Sequence, residues 1–224
     1  RDWSSDVCSS DLPHTSHMDD TIRCIQAGKS VLCEKPFAVN AGQATQMIAA
    51  AKAANVPLME AMWTRFLPAV RKAVSLINDG AIGDIRMIQS DFGFRTDVNP
   101  SGRLFDKNLA GGGLLDVGVY CVSLSVMLLG AAHAATGLAD IGSTGIDEQA
   151  AAVMAFDGGR LAYFSTGVRT STPMEATIMG TNGFIRIESP YFAANKLTLH
   201  KGGQTEVIDV PFVGNGYKDR KSTR

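Results

Sequence analysis

The 224-residue sequence is short of the features that would commit it to a membrane, a nucleic acid or a secreted scaffold. Its 21 Lys and Arg balance 22 Asp and Glu to a net charge of −1, which leaves no electrostatic footprint for nucleic acid or anionic lipid. No uninterrupted run of about 18 apolar residues reads as a membrane span. The nearest, 114–129, is broken by Asp116, Tyr120, Ser123 and Ser125 and suits a buried helix better. The four cysteines, Cys8, Cys24, Cys33 and Cys121, make no C-x-x-C motif and no disulfide framework. The last three lie in apolar runs, so we expect buried free thiols in a reducing, cytoplasmic compartment. Metal ligation is not expected either. His14 and His17 are three apart with no acid or cysteine at a ligand spacing, and His133 and His200 are isolated. The triplet 111–113 lacks the G-K-[ST] of a phosphate loop, and as G-x-G-x-x-G it fails at Asp116.

What is present is ordinary globular composition, 45% hydrophobic and 19% charged, enough for one large or two small domains. Residues 1–12 and 218–224 differ in composition from the rest, and neither reads as a signal peptide. They resemble translated sequencing-adaptor read-through, so fold reasoning covers 13–217. Thr15 or Ser16 is placed to cap a first helix whose early turn carries Asp19 and Asp20, with Ile22, Cys24, Ile25 and Ala27 as its apolar positions and Gly28 as its end. A strand over 30–34 follows. Asn40 then caps a helix over 41–54 with Ala44, Met47, Ile48 and Ala51 on one stripe, and 56–62 reads as another strand. Helix, strand, helix, strand with short links make a parallel α/β unit. We place its boundary near Trp63. Beyond it come a helix over 66–78, a strand over 85–94, a polar loop over 95–110 and the most apolar helix, 111–129. Six strands follow, paired across Asp157-Gly158-Gly159, Thr181-Asn182-Gly183 and Gly202-Gly203, and read as an antiparallel meander.

Two stretches carry chemistry. Val31-Leu32-Cys33-Glu34-Lys35-Pro36-Phe37 reads as a buried strand stopped by proline, leaving Glu34 and Lys35 at its carboxyl end, where ligands bind in open parallel sheets. Strand ends also carry ordinary solvated charge. Asp116 and Tyr120 are four apart on the apolar helix and share a face, which Ser123 continues. A core tyrosine with a satisfied hydroxyl and an acid favoured by the helix dipole would look the same.

Taken together, Pro13-His14-Thr15-Ser16-His17, Ala27-Gly28-Lys29, Glu34-Lys35-Pro36 and Gly112-Gly113-Leu114-Leu115-Asp116-Val117-Gly118-Val119-Tyr120 resemble the Gfo/Idh/MocA oxidoreductases over nearly all of 13–217. Residues 59–68 (Met-Glu-Ala-Met-Trp-Thr-Arg-Phe-Leu-Pro) and Asp91-Phe92-Gly93 are similar to the branch of dimeric dihydrodiol dehydrogenase and NADP-dependent xylose dehydrogenase. The resemblance implies an α/β fold. Residues 13–62 would be the C-terminal half of a Rossmann-type NAD(P)-binding domain, and 63–217 an α+β substrate and dimerisation domain with a largely antiparallel open sheet. It also implies hydride transfer between NAD(P), with the balance toward NADP, and a hydroxyl-bearing carbon of a sugar, polyol or trans-dihydrodiol. Tyr120 then matches the acid/base, Lys35 the group touching nicotinamide ribose and substrate oxygen, and Asp116 an orienting acid. A neighbouring ammonium favours a phenolate. His14, Glu34, Lys35, Trp63 and Arg65 fall on the cofactor side, with Trp63 and Phe92 also as substrate-pocket walls. Core packing for the aromatics and surface pairing for Arg65 are the plain alternatives. Arg103 receives no role.

The dinucleotide fingerprint and the residue that reads the adenosine ribose have no counterpart in the chain. We therefore expect an active parent enzyme and an inactive piece. The parent is expected to be a homodimer through its open sheet. The rival reading is a non-catalytic cofactor-binding sensor of the same fold, which would have no need to keep both Lys35 and Tyr120.

Overall fold

The computed structural model of the chain describes residues 12–211. Both flanks apart from Leu12, as well as Cys8, lie outside the described residues.

A 3-10 turn, His14–Ser16, leads into helix α1, His17–Gln26. Neither Thr15 nor Ser16 caps α1 with its side chain, because the Ser16 hydroxyl donates instead to the Pro13 carbonyl at 3.1 Å. Gly28, at φ 71°, ends the helix in the left-handed region as expected. Strand β1, Val31–Cys33, then helix α2, Ala41–Ala54, and strand β2, Leu58–Glu60, complete a small parallel unit with Val31 opposite Leu58 and Cys33 opposite Glu60. Asn40 caps α2 by accepting from the Gln43 N–H at 3.0 Å, and Asn55 turns it off at φ 51°. The apolar stripe of α2 is narrower than expected. Met47 and Ala51 are buried against Ile25, Val31 and Cys33, whereas Ile48 is 44% exposed.

A second 3-10 turn, Trp63–Phe66, separates this unit from helix α3, Pro68–Asn78, so the helical spacing begun at Phe66 is taken up only once Pro68 supplies its first position. Strand β3, Ile85–Gly93, follows. The apolar helix is not uniform. Leu114–Gly118 is a wider π turn, and helix α4 proper runs Val119–Leu129. By length and composition alone the helical stretch Lys107–Leu129 could cross a membrane, but 61% of its apolar window is buried inside the protein, as in a core helix.

The remaining strands are β4 (Ala132–Ile141), β5 (Asp147–Phe156), β6 (Arg160–Gly167), β7 (Ala176–Gly180), β8 (Gly183–Ile187), β9 (Lys196–Lys201) and β10 (Gln204–Asp209). The three expected hairpins form, but the six-strand meander does not. The sheet has eight strands in the order β10-β9-β8-β7-β3-β6-β5-β4. β3 slots between β7 and β6, antiparallel to the first and parallel to the second. Its buried Ile88, Ser90 and Phe92 make it a central strand, and local turn signals cannot reveal such a long-range insertion. β4 was not anticipated because its alanines, Thr136 and Gly137 are nearly all exposed and show no apolar alternation.

α3 and α4 cover one face of this sheet. Ile88, Ala162, Phe164, Ile178, Ile185 and Leu197 are buried beneath them. The other face is open, with Val153, Leu161 and Phe184 exposed. The glycine triplet is shaped by packing. A side chain at Gly112 (φ 122°) would meet Asp147 Oδ1 at 2.2 Å, and Asp147 Oδ2 accepts the Leu114 N–H at 2.6 Å. Burial pushes the Asp147 carboxyl up, and that N–H works against the shift.

Candidate active site

Lys35 is delivered by the end of β1. Val31 and Cys33 anchor the strand in the small core. The turn beyond is pinned from two sides: His17 Nδ1–H donates to the Pro36 carbonyl at 2.8 Å, and the Phe37 N–H donates to Glu60 Oε1 at 3.1 Å. From there the mostly buried lysine side chain crosses to the π turn. Its ammonium donates to the Asp116 carbonyl at 2.7 Å and to Asp116 Oδ1 at 3.3 Å. It also stands 5.1 Å from the centroid of the Tyr120 ring. Strand tip and buried helix, 81 residues apart at Lys35 and Asp116, thus meet in one cluster.

Asp116 is 6% exposed and holds three partners. Burial alone would push its carboxyl up, but the Lys35 charge and the Arg103 guanidinium, whose Nη1 donates at 2.9 Å, hold it below the usual carboxylate range. His14, 3% exposed, lies 3.9 Å from the same oxygen. Its Nδ1 is 3.0 Å from the Ala110 carbonyl, and its Nε2 is 2.9 Å from Arg103 Nη1. Burial is the main reason that His14 titrates below the ordinary histidine range. Arg103 and His17 add to the shift, while the Ala110 carbonyl and Asp116 oppose it.

Tyr120 closes the cluster on the other side. Its oxygen accepts the Trp63 indole N–H at 3.1 Å. The ring stands 5.2 Å from that of Phe92, and Phe92 is stacked on Phe192 at 4.2 Å with an interplanar angle of 1°. Trp63 meets Phe192 edge-on at 6.4 Å. Such a box presents flat apolar walls around one phenol oxygen.

Of the residues singled out from sequence, Lys35, Asp116, Tyr120, His14, Trp63 and Phe92 come together. Glu34 stands half-buried on the strand end immediately before Lys35. Arg65 is set apart, with its Nε donating to Ser123 Oγ at 2.9 Å and its charge acting on Glu60. Two members of the cluster escaped sequence reasoning. Arg103 comes from the polar loop, where the lone Phe105 is the one hint of a fixed conformation. Phe192 comes from a 3-10 turn, Tyr191–Ala193, with no periodic signal at all. Among the described residues no group of three or more His, Cys, Asp and Glu is arranged to hold a metal.

Residues 70–186 match the family described as GFO/IDH/MocA C-terminal domain, and residues 5–62 match the one described as oxidoreductase family, NAD-binding Rossmann fold. Trans-1,2-dihydrobenzene-1,2-diol dehydrogenase of Xenopus tropicalis is 35% identical over 213 residues, which is 94% of this chain and 63% of that protein. The chain therefore spans less than two thirds of that relative's length. The aldose-aldose oxidoreductase of Caulobacter crescentus, solved with glycerol, superposes with a TM-score of 0.84 at 25% identity over 96% of this chain and 66% of its own. A levoglucosan dehydrogenase, solved with NADH and levoglucosan, shares the fold at a TM-score of 0.83 and 22% identity, covering 98% and 70% of the two chains.

Proposed function

The chain belongs to the Gfo/Idh/MocA oxidoreductase family, and on that premise we propose that it carries the acid/base centre of an NAD(P)-dependent dehydrogenase acting on a hydroxyl-bearing carbon of a sugar, polyol or trans-dihydrodiol. The observation that carries the reading is the Lys35 ammonium, bonded to Asp116 and 5.1 Å from the Tyr120 ring. In oxidation Tyr120 Oη takes the substrate hydroxyl proton, and in reduction it returns it. Two of the three ammonium hydrogens go to Asp116, leaving one to meet the substrate oxygen where negative charge develops. Asp116 fixes that lysine. Trp63 and Phe92 flank the substrate ring.

The residues present fit a nicotinamide ring: Lys35, His14, Glu34, Trp63 and Arg65 would hold it. When bound it supplies the two-electron hydride acceptor or donor. NADP is favoured over NAD on the likeness to an NADP-dependent branch. Residues 13–62 belong to the cofactor-binding part and 63–217 to the substrate and dimerisation part. The buried free thiols of Cys33 and Cys121 suit a reducing cytoplasm.

To test the reading, the chain is joined behind the dinucleotide-binding segment of a relative. It is then assayed with D-xylose and with a trans-dihydrodiol, NADP and NAD side by side. Tyr120→Phe keeps the packing and removes the proton carrier, so turnover is expected to fall by about 10²-fold or more with cofactor binding retained. Turnover near the parent value would remove Tyr120 from the reaction.

The open sheet face supports a homodimer. Phe184, Met179, Met87 and Leu161 form one row across four strands, with Val153 and the 87%-exposed Leu138 on the same face. Light scattering at micromolar concentration is expected to give twice the chain mass, and Val153→Lys to return it to one. A monomeric parent would end the dimer proposal.

A further inference from the structure

Arg103 comes from the loop that precedes the π turn, and the loop is not free to wander. Phe105 is buried with Ile146 and Val168. The Gly112 N–H donates to the Leu104 carbonyl at 2.9 Å, and a Cβ at Gly111 would come within 2.5 Å of that same oxygen. The residue before Leu104 is thereby held over the π turn. Its side chain is 46% exposed, yet a single nitrogen, Nη1, reaches both Asp116 Oδ1 and His14 Nε2 at 2.9 Å. We propose that Arg103 is the positioning residue of this site, holding Asp116 against Lys35 and at the same time fixing His14 as the neutral Nδ1–H tautomer.

The donor inventory leaves one solution. A guanidinium can only donate, so His14 Nε2 must offer its lone pair. The Ala110 carbonyl can only accept, so His14 Nδ1 carries the hydrogen. Protonation of Nε2 would set two N–H groups against each other and break the contact. The other groups facing this imidazole are Asp116, at 3.9 Å, and His17, whose ring is edge-on at 5.8 Å and whose Nδ1–H is engaged by Pro36. Lys35 reaches His14 only through Asp116. With Arg103 in place, two cations share one carboxylate and the cluster keeps one net positive charge next to Tyr120. Without it, Lys35 and Asp116 cancel, and His14 is released to take a proton toward Asp116. Arg103 thus supplies the second positive charge of the cluster itself and keeps the imidazole neutral. Burial of His14 works in the same direction as Arg103.

The inference rests on the reading of Lys35 and Tyr120 as reacting groups, but its test uses no turnover, so either can fail without the other. Imidazole ¹⁵N resonances of the chain, assigned with a His14→Gln control, report tautomer and titration directly. His14 is expected as a single neutral Nδ1–H form at neutral pH, where a free imidazole is a mixture of tautomers, and to titrate below the ordinary histidine range. Arg103→Gln is expected to raise its midpoint by about one pH unit, a tenfold gain in proton affinity, and Arg103→Lys to restore part of the difference. A charged or mixed-tautomer His14 in the unaltered chain at that pH overturns the proposal, and this reading decides even should the glutamine variant fail to fold. An unchanged midpoint in a folded Arg103→Gln protein overturns it equally.

Discussion

The small parallel sheet is two strands paired over three residues, with five buried apolar side chains at its centre, Ile25, Val31, Cys33, Met47 and Ala51. The large sheet spreads eight strands under two helices and buries a continuous core from Met62 to Leu199. The clustered side chains divide across this boundary: Lys35 from the small unit, Asp116, Tyr120, Trp63 and Phe92 from the large one. Polar contacts made by buried side chains bridge them, Lys35 to Asp116 and His14 to Ala110. The thin unit therefore holds its lysine in place partly through contacts supplied by the thick one. An unpaired buried polar group is costly, so these bridges fix position strongly.

This contrast can be broken at the thin core first. Met47 is fully buried in a cluster with few alternatives for repacking, and Met47→Ala is expected to cost about 3 kcal/mol in chemical denaturation. A cost below about 1 kcal/mol would mean that the small unit is held by its bridges alone.

Asp116→Asn tests the bridge itself. It leaves Lys35 and Arg103 facing a neutral amide, and the expected loss at neutral pH is about 2 kcal/mol, reduced from that of a fully buried pair because Arg103 is half in solvent. The sign with pH follows from the lowered Asp116 carboxyl. Its stabilisation is complete above the unfolded carboxylate value, about 4, and fades as pH falls through the lower folded value. The difference between parent and variant should therefore shrink on acidification below about pH 4. A difference that stayed constant down to complete protonation would locate the effect in packing. The smallest effect is expected at Ile48, on the exposed side of α2, where Ile48→Ser should stay within about 0.5 kcal/mol.

Much of the fold could be read from local chemistry. Asn40, Asn55, Gly28 and the three hairpin turns mark element ends by steric and hydrogen-bonding rules that act over a few residues. The insertion of β3 between β6 and β7 could not be read, since strand order is settled by which faces are buried far along the chain. The same division runs through the site. Lys35, Asp116 and Tyr120 stand out because charge and phenol interrupt apolar runs. Arg103 and Phe192 are in segments where such residues are commonplace, and only the folded loop brings them to the cluster. The π turn has the same origin, because nothing in Leu114–Gly118 distinguishes it from the α-helix that follows.

Asp147 has a consequence for what may enter. The beginning of a helix is ordinarily an inviting seat for a phosphate or carboxylate of a guest molecule, since bare amides and the peptide dipole converge there. Here the protein has placed its own carboxylate in that seat, hydrogen-bonded to Leu114, with a glycine at 112 shaved back to admit it. A charged tail on a visiting molecule finds this place already taken by an anion.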